Sequence, residues 1–142
     1  MPAGIVVALP AEARTLSRVS QPGDAVRLGE HSLLIVSGMG ARRAGKAARA
    51  LLHAGATALV SWGTAGGLDP KYRSGHLLVS EKILTTSGEH YLADQAWRTR
   101  VLQTLSDHID CSDGNVVTTG QVLTSAADRR RLHAQSGAAA VD

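Results

Sequence analysis

The stretch LLIVSGMGARRAGKAARALLHAG, residues 33–55, combines a strand, a glycine-rich turn and a helix in one segment. Every side chain of the run 33–36 is apolar, as expected of a strand buried on both faces of a sheet. After the turn at 37–40, small apolar side chains recur at helical spacing from residue 41 to residue 54, and Gly55 follows the helix end. A buried strand that leads directly into a helix is typical of α/β proteins.

The same alternation continues along the chain. Short aliphatic runs predict strands at 5–9, 58–62, 77–79, 116–119 and 138–141. Helical patterns occur at 11–18, 93–108 and 125–135, the last with Ser125 as its N-cap. A tight turn at 29–31 predicts a hairpin that ends in the strand 33–36. We therefore predict an α/β fold with a mixed, mostly parallel central sheet between layers of helices, in one domain over residues 1–142.

Composition and charge exclude several classes of protein. With 44% hydrophobic and 19% charged residues, the 142-residue chain is an ordinary globular sequence rather than a disordered or fibrous one. The net charge of +3 suits an anionic ligand, but only 3% of the residues are aromatic, which argues against a nucleic-acid partner. No apolar stretch is long enough to span a membrane, and the run 5–9 lacks the preceding basic residues of a signal peptide.

Cysteine and histidine usage indicates the compartment and the absence of a metal centre. Cys111 is the single cysteine, so an intrachain disulfide is impossible and we expect a reducing compartment, the cytoplasm. The six histidines are dispersed without ligand spacing, so we predict no metal site. His90 and Tyr91 are placed in a surface loop at 87–91 that could line a pocket.

Glycine-rich turns follow three of the predicted strands, at 37–40, 63–67 and 118–121. Ligands of open α/β sheets bind outside the carboxyl ends of the strands, where glycine lets backbone N–H groups approach an anion. Each turn alone is also consistent with a simple chain reversal. Neither a dinucleotide fingerprint nor a Walker P-loop is present, which argues against a flavodoxin-like or dinucleotide-binding protein. We expect the three turns to form one pocket for a phosphate or a mononucleotide.

Charged residues next to these turns are the candidates for chemistry. Arg42 and Arg43 lie in the first turn of the helix that follows residue 40, where cations oppose the helix dipole. They are either phosphate ligands or solvated surface residues. Glu12 follows the first strand and is either an acid that orients a water or hydroxyl or simply a first-turn helix acid.

Five segments resemble one known family in their order and spacing. They are GIVVALPAE at 4–12, SGMG at 37–40, GTAGGL at 63–68, SGHLLVS at 74–80 and AAVD at 139–142. Together they resemble the nucleoside phosphorylase and methylthioadenosine nucleosidase superfamily. The segments LPAEAR at 9–14 and GLDP at 67–70 are most similar to hopanoid-associated phosphorylases, which release adenine from adenosylhopane.

This resemblance implies a function and a set of site residues. It implies cleavage of the N-glycosidic bond of a purine nucleoside or 5′-modified adenosine, with inorganic phosphate as co-substrate and no other cofactor, in a homo-oligomer. Glu12 is then the catalytic acid. The implied phosphate ligands are Gly40, Arg42, Arg43 and Thr64, and the implied substrate contacts are Ala65, Gly66, Gln121, Val122, Leu123 and Asp142.

Two alternatives to phosphorolysis stay open. One is hydrolysis by a methylthioadenosine/S-adenosylhomocysteine-type nucleosidase. The other is a catalytically impaired binding remnant. In the family, the segment similar to 139–142 continues into residues that bind the ribose hydroxyls, and a later Asp protonates the leaving purine. We therefore expect this sequence to be a fragment or a truncated product.

Overall fold

The structure is a computed structural model that describes residues 2–18 and 22–142, and it divides into two compact units, Met1–Thr64 and Ala65–Asp142. The first unit contains β1 (Ala3–Val7), α1 (Pro10–Ala13), β2 (Val26–Leu28), β3 (Ser32–Val36), α2 (Ala41–His53) and β4 (Ala58–Ser61). The second contains β5 (Gly66–Gly67), β6 (Leu77–Thr85), β7 (His90–Leu92), α3 (Gln95–Ser106), β8 (Cys111–Thr118), α4 (Ala126–Ser136) and β9 (Ala140–Val141).

The first unit is built on a four-stranded sheet in the order β2-β3-β1-β4. β1 runs parallel to both of its neighbours, and β2 pairs antiparallel with β3 through the predicted hairpin. Because β3, β1 and β4 are parallel, their carboxyl ends meet at the same edge of the sheet. The turns that follow these three strands therefore lie side by side.

Both faces of this sheet are covered, which explains why β3 is apolar at successive positions. Leu33 and Ile35 pack with α2 on one face, while Leu34 and Val36 pack with Ala13 of α1 on the other. The approach of α2 to the sheet depends on Gly4 in β1. A Cβ atom at Gly4 would lie 3.0 Å from the Cβ of Leu51, so a larger residue would push the helix away.

The second unit is built on a five-stranded sheet in the order β5-β9-β8-β6-β7. β8 runs parallel to β6 and to β9, whereas β5 and β7 pair antiparallel at the two edges. Leu68, Val117 and Ala138 form the core of this unit. The prediction of Ser125 as a cap is confirmed, since its hydroxyl accepts a hydrogen bond from the Asp128 N–H at 3.0 Å.

Several predicted boundaries were wrong, and strand pairing is the usual reason. β6 extends to Thr85 and β8 begins at Cys111 because the two strands pair along their whole lengths, including polar residues that gave no apolar signal. The assignment of His90 and Tyr91 to a loop was wrong, since β7 pairs with β6 there. The predicted helix at 11–18 is shorter and ends at Ala13. Among the described residues, no helix has the length and apolarity needed to cross a bilayer.

Candidate active site

Glu12 lies in α1, immediately after β1, and its carboxylate joins two of the strand ends. One oxygen, Oε2, accepts hydrogen bonds from the backbone N–H groups of Ala8 at 3.2 Å and Leu9 at 3.0 Å. The other, Oε1, accepts from Thr64 twice, from its backbone N–H and from its hydroxyl, both at 2.9 Å. Glu12 is only 7% exposed. The carboxylate therefore connects the end of β1 to the turn that follows β4.

These contacts determine the charge of Glu12. Burial by itself raises the pKa of this carboxyl group, but the hydrogen bonds from Thr64, Leu9 and Ala8 outweigh burial and hold the pKa below its ordinary value. Glu12 is therefore an anion at neutral pH. Three of its four donors are fixed backbone groups, whereas the Thr64 hydroxyl can rotate away and leave Oε1 open to a ligand.

Gly63 makes room for this carboxylate. A Cβ atom at Gly63 would lie 2.9 Å from Oε1 of Glu12 and 3.0 Å from its Cδ, closer than such atoms normally approach. Any side chain at position 63 would have to displace the acid. The sequence predicted that the glycines of the turn 63–67 bring N–H groups close to an anion. In this structure the anion at the Thr64 N–H is the protein's own carboxylate.

Trp62 and Thr15 hold α1 in place, and sequence reasoning missed both. The indole Nε1 of Trp62 donates a hydrogen bond to the Thr15 hydroxyl at 3.0 Å, and that hydroxyl donates to the backbone carbonyl of Glu12 at 2.7 Å. Trp62 also packs against the core on the α1 face of the sheet. A tryptophan directly before a glycine turn was the available signal.

The turn after β3 lies on the other side of β1. The Ser37 N–H donates to the Val7 carbonyl at 2.8 Å, which places this turn next to the end of β1. The side chain of Arg43 lies against Gly38, where an added Cβ would be 3.2 Å from the guanidinium Nη1. Arg42 and Arg43 are both exposed, and neither side chain forms a hydrogen bond or ion pair within the described ranges 2–18 and 22–142.

α2 begins at this turn with Gly40 as its N-cap. No side chain caps the helix, and its first turn contains no acidic residue. Helix N-termini carry partial positive charge and attract anions. Two of the three predicted glycine turns, those at 37–40 and 63–64, thus meet at one sheet edge with Glu12 between them, and α2 and Arg43 supply positive charge there.

The remaining predicted site residues belong to the second unit. Gly66 pairs with Val141, and the Asp142 carbonyl accepts a hydrogen bond from the Thr119 N–H at 3.0 Å. Leu123 packs against the core of the unit, and five of these residues are exposed: Ala65, Gly66, Gln121, Val122 and Asp142. Within this unit, Gly66 lies on β5, Asp142 directly follows β9, and the 118–121 turn begins at the last residue of β8, so the three belong to neighbouring strands.

The described residues contain no group of three or more His, Cys, Asp or Glu side chains that could hold a metal ion.

Comparison with solved structures identifies the fold. Helicobacter pylori 5′-methylthioadenosine/S-adenosylhomocysteine nucleosidase with butyl-thio-DADMe-Immucillin-A matches with a TM-score of 0.85 at 16% identity, over 100% of this chain and 74% of that chain. A futalosine hydrolase mutant of H. pylori matches with a TM-score of 0.83 at 16% identity, over 100% and 75%. The Colwellia psychrerythraea nucleosidase in complex with adenine matches with a TM-score of 0.78 at 21% identity, over 100% and 72%.

These likenesses confirm the predicted mixed α/β fold class. None of the curated proteins matches the chain by sequence. The family model described as the phosphorylase superfamily, however, matches residues 2–142. The resemblance read from the five sequence segments is therefore confirmed, and the chain belongs to the phosphorylase superfamily.

Proposed function

We propose that this chain takes part in cleavage of the N-glycosidic bond of a purine nucleoside, with Glu12 as its catalytic carboxylate. The observation that carries the proposal is the buried Glu12 carboxylate held by Ala8, Leu9 and Thr64 at the carboxyl edge of the first sheet, where these hydrogen bonds lower its pKa. Glycosidic cleavage passes through a cationic sugar centre. A fixed anion beside that centre stabilises its charge and orients the attacking nucleophile.

We propose inorganic phosphate as the nucleophile. The positive N-terminus of α2 and the guanidinium of Arg43 at the 37–40 turn support this assignment, since both favour an oxyanion. Hydrolysis is the second candidate. It is favoured by the negative charge of Glu12, which repels phosphate but accepts a proton from water, and by the nucleosidases and the hydrolase among the similar structures.

For the substrate we propose a 5′-modified adenosine of the adenosylhopane type. The segment LPAEAR at 9–14 supports this by its resemblance to hopanoid-associated phosphorylases. Leu9 and Met39 are 38% and 58% exposed, and both belong to turns at the carboxyl edge of the first sheet, where Glu12 also lies. Their apolar side chains suit contact with an apolar 5′ substituent. We propose Gly66, Asp142 and the 118–121 turn as substrate contacts of the second unit, and a cytoplasmic homo-oligomer as the working form.

The test is an assay of the purified chain with adenosine, 5′-methylthioadenosine and an adenosine with a long apolar 5′ group, each with and without phosphate. Phosphorolysis predicts phosphate-dependent release of adenine and one equivalent of the sugar 1-phosphate. Adenine release that is equally fast without phosphate would establish hydrolysis instead.

Calorimetry with butyl-thio-DADMe-Immucillin-A completes the experiment. Binding of this analogue without turnover of any nucleoside would favour the impaired binding remnant. Absence of both binding and turnover would contradict a nucleoside function for the chain.

A further inference from the structure

A second group of reactive side chains lies in the second unit and includes no residue assigned above. His76 precedes β6 and Ser112 is the second residue of β8, and strand pairing places Leu78 of β6 opposite Ser112. The Nε2 atom of His76 lies 2.9 Å from the Ser112 hydroxyl. The Nδ1 atom of the same imidazole lies 3.7 Å from a carboxylate oxygen of Asp110. The imidazole of His76 therefore lies between the Ser112 hydroxyl and the Asp110 carboxylate.

The imidazole of His76 is held in a defined orientation. Its side chain is only 14% exposed, and the Tyr72 ring packs against it with a centroid separation of 4.9 Å. The Tyr72 hydroxyl in turn donates to the Asp113 carbonyl at 3.2 Å. Asp110 faces Nδ1 from 3.7 Å, beyond hydrogen-bond distance, and its side chain is 94% exposed. The tautomer with hydrogen on Nδ1 directs that hydrogen towards the carboxylate. Nε2 is then free to accept the proton of Ser112.

These residues line a surface cavity of about 530 Å³, which also contains Lys71, Arg73 and Asp113. Two charged residues of the cavity lining already have ion-pair partners. Lys71 pairs with Asp69 at 3.2 Å, and Asp113 pairs with the buried Arg98 at 3.2 Å. Arg73 forms no side-chain hydrogen bond or ion pair with any residue that the structure describes. Arg73 is therefore the cation of this cavity that no ion pair compensates, and the exposed carboxylate of Asp110 is the opposing charge in the same lining.

We propose that Ser112 is an activated nucleophile and that this cavity is an esterase-type site for small acyl esters that carry a negative charge. The required elements of such a site are a nucleophile within hydrogen-bond distance of a base and a third group that orients the base. Ser112 and His76 supply the nucleophile and the base, Asp110 is the carboxylate that faces the base from 3.7 Å, and Arg73 attracts the anionic end of the substrate.

The chemistry needs only the ester and water. The Ser112 oxygen bonds to the carbonyl carbon while its proton moves to Nε2 of His76. The tetrahedral adduct expels the alcohol, which takes that proton from His76 and leaves an acyl-serine. Water, deprotonated by the same imidazole, then attacks the acyl group, so that a carboxylic acid is released and the serine hydroxyl is restored.

The first experiment uses a fluorophosphonate probe on the full 142-residue chain, with the labelled residue identified by peptide mass spectrometry. We expect one label per chain, on Ser112. Ser112→Ala removes it, and His76→Gln slows it at least about 100-fold, the usual contribution of a general base. Ser74→Ala, a serine in the turn next to His76, is the matched control and labels like the unmodified chain. Thermal unfolding of each variant verifies that the fold is retained.

A second experiment tests the role of Arg73. We expect hydrolysis of p-nitrophenyl hemisuccinate to exceed that of p-nitrophenyl acetate, and Arg73→Ala to remove this preference without abolishing labelling of Ser112. An unlabelled chain, a label on another residue, or equal labelling rates for the unmodified chain and a folded His76→Gln variant would each overturn the proposal.

Discussion

The carboxylate of Glu12 accepts two hydrogen bonds from one residue, Thr64, whose backbone N–H and side-chain hydroxyl both lie 2.9 Å from Oε1. The two residues are 52 positions apart in sequence, so this pair connects the beginning of the first unit to its end. It also gives the acid two kinds of donor. The backbone N–H holds the negative charge permanently, whereas the hydroxyl can exchange its bond for one to a ligand.

The charge of Glu12 predicts how stability depends on pH. Since the folded-state pKa lies below the ordinary value, Glu12 stabilises the fold at neutral pH, and this contribution is lost as the pH falls from the ordinary value through the lowered folded-state value. The measurement is urea unfolding between pH 7 and pH 3 for the unmodified chain and Glu12→Gln. Their difference in free energy of unfolding should shrink as the pH falls, and a difference that stays constant would contradict this assignment.

Gly63→Ala tests the space that the carboxylate needs. The new Cβ would lie 2.9 Å from Oε1 of Glu12, so we expect a loss of about 1–3 kcal/mol in stability together with slower adenine release. Gly67→Ala is the matched control, because a Cβ at Gly67 would meet no atom within 4 Å. Equal behaviour of the two variants in chemical unfolding would show that Gly63 is not required by the acid.

Trp62→Phe tests the link between α1 and β4. The change removes the donor to Thr15 but keeps an aromatic ring, so we expect a loss of about 0.5–1.5 kcal/mol in the free energy of unfolding. Adenine release should also slow, because Thr15 holds the backbone of Glu12. Trp97→Phe serves as control, since its indole forms no hydrogen bond with a described residue. Unchanged stability and activity in Trp62→Phe would contradict the positioning role.

Arg43→Ala and Arg42→Ala separate the two predicted phosphate ligands. Both side chains are exposed and form no hydrogen bond or ion pair with a described residue, but Arg43 lies against Gly38 of the 37–40 turn. We therefore expect the KM for phosphate to rise about 10- to 100-fold in Arg43→Ala and much less in Arg42→Ala. Initial rates of adenine release over a phosphate series give both values. The opposite order of effects would assign the phosphate to Arg42.

Much of the first unit could be predicted from sequence because its signals are local. The strand at 33–36 is buried on both faces and α2 repeats apolar residues at helical spacing, so short windows of sequence contain the information. The position of Glu12 after β1 was predicted for the same reason. Its partnership with Thr64 was not, because a hydrogen bond across 52 positions has no local signature.

The second unit was harder to predict for a related reason. The first half of β8, residues 111–115, is polar and becomes a strand only because β6 pairs with it. His76 and Ser112 are likewise 36 positions apart, and the residues around each of them contain no signal that the two side chains meet. Pairing between distant strands, rather than composition, brings these two residues together.

The most direct measurement is the rate of adenine release by Glu12→Gln at neutral pH. We expect at least about a 100-fold loss relative to the unmodified chain, because the amide carries no charge and cannot accept a proton from the nucleophile. Glu30→Gln, which changes an exposed glutamate in the hairpin turn, should retain full activity. A folded Glu12→Gln variant that releases adenine at the unmodified rate would contradict the assignment of Glu12 as the catalytic carboxylate.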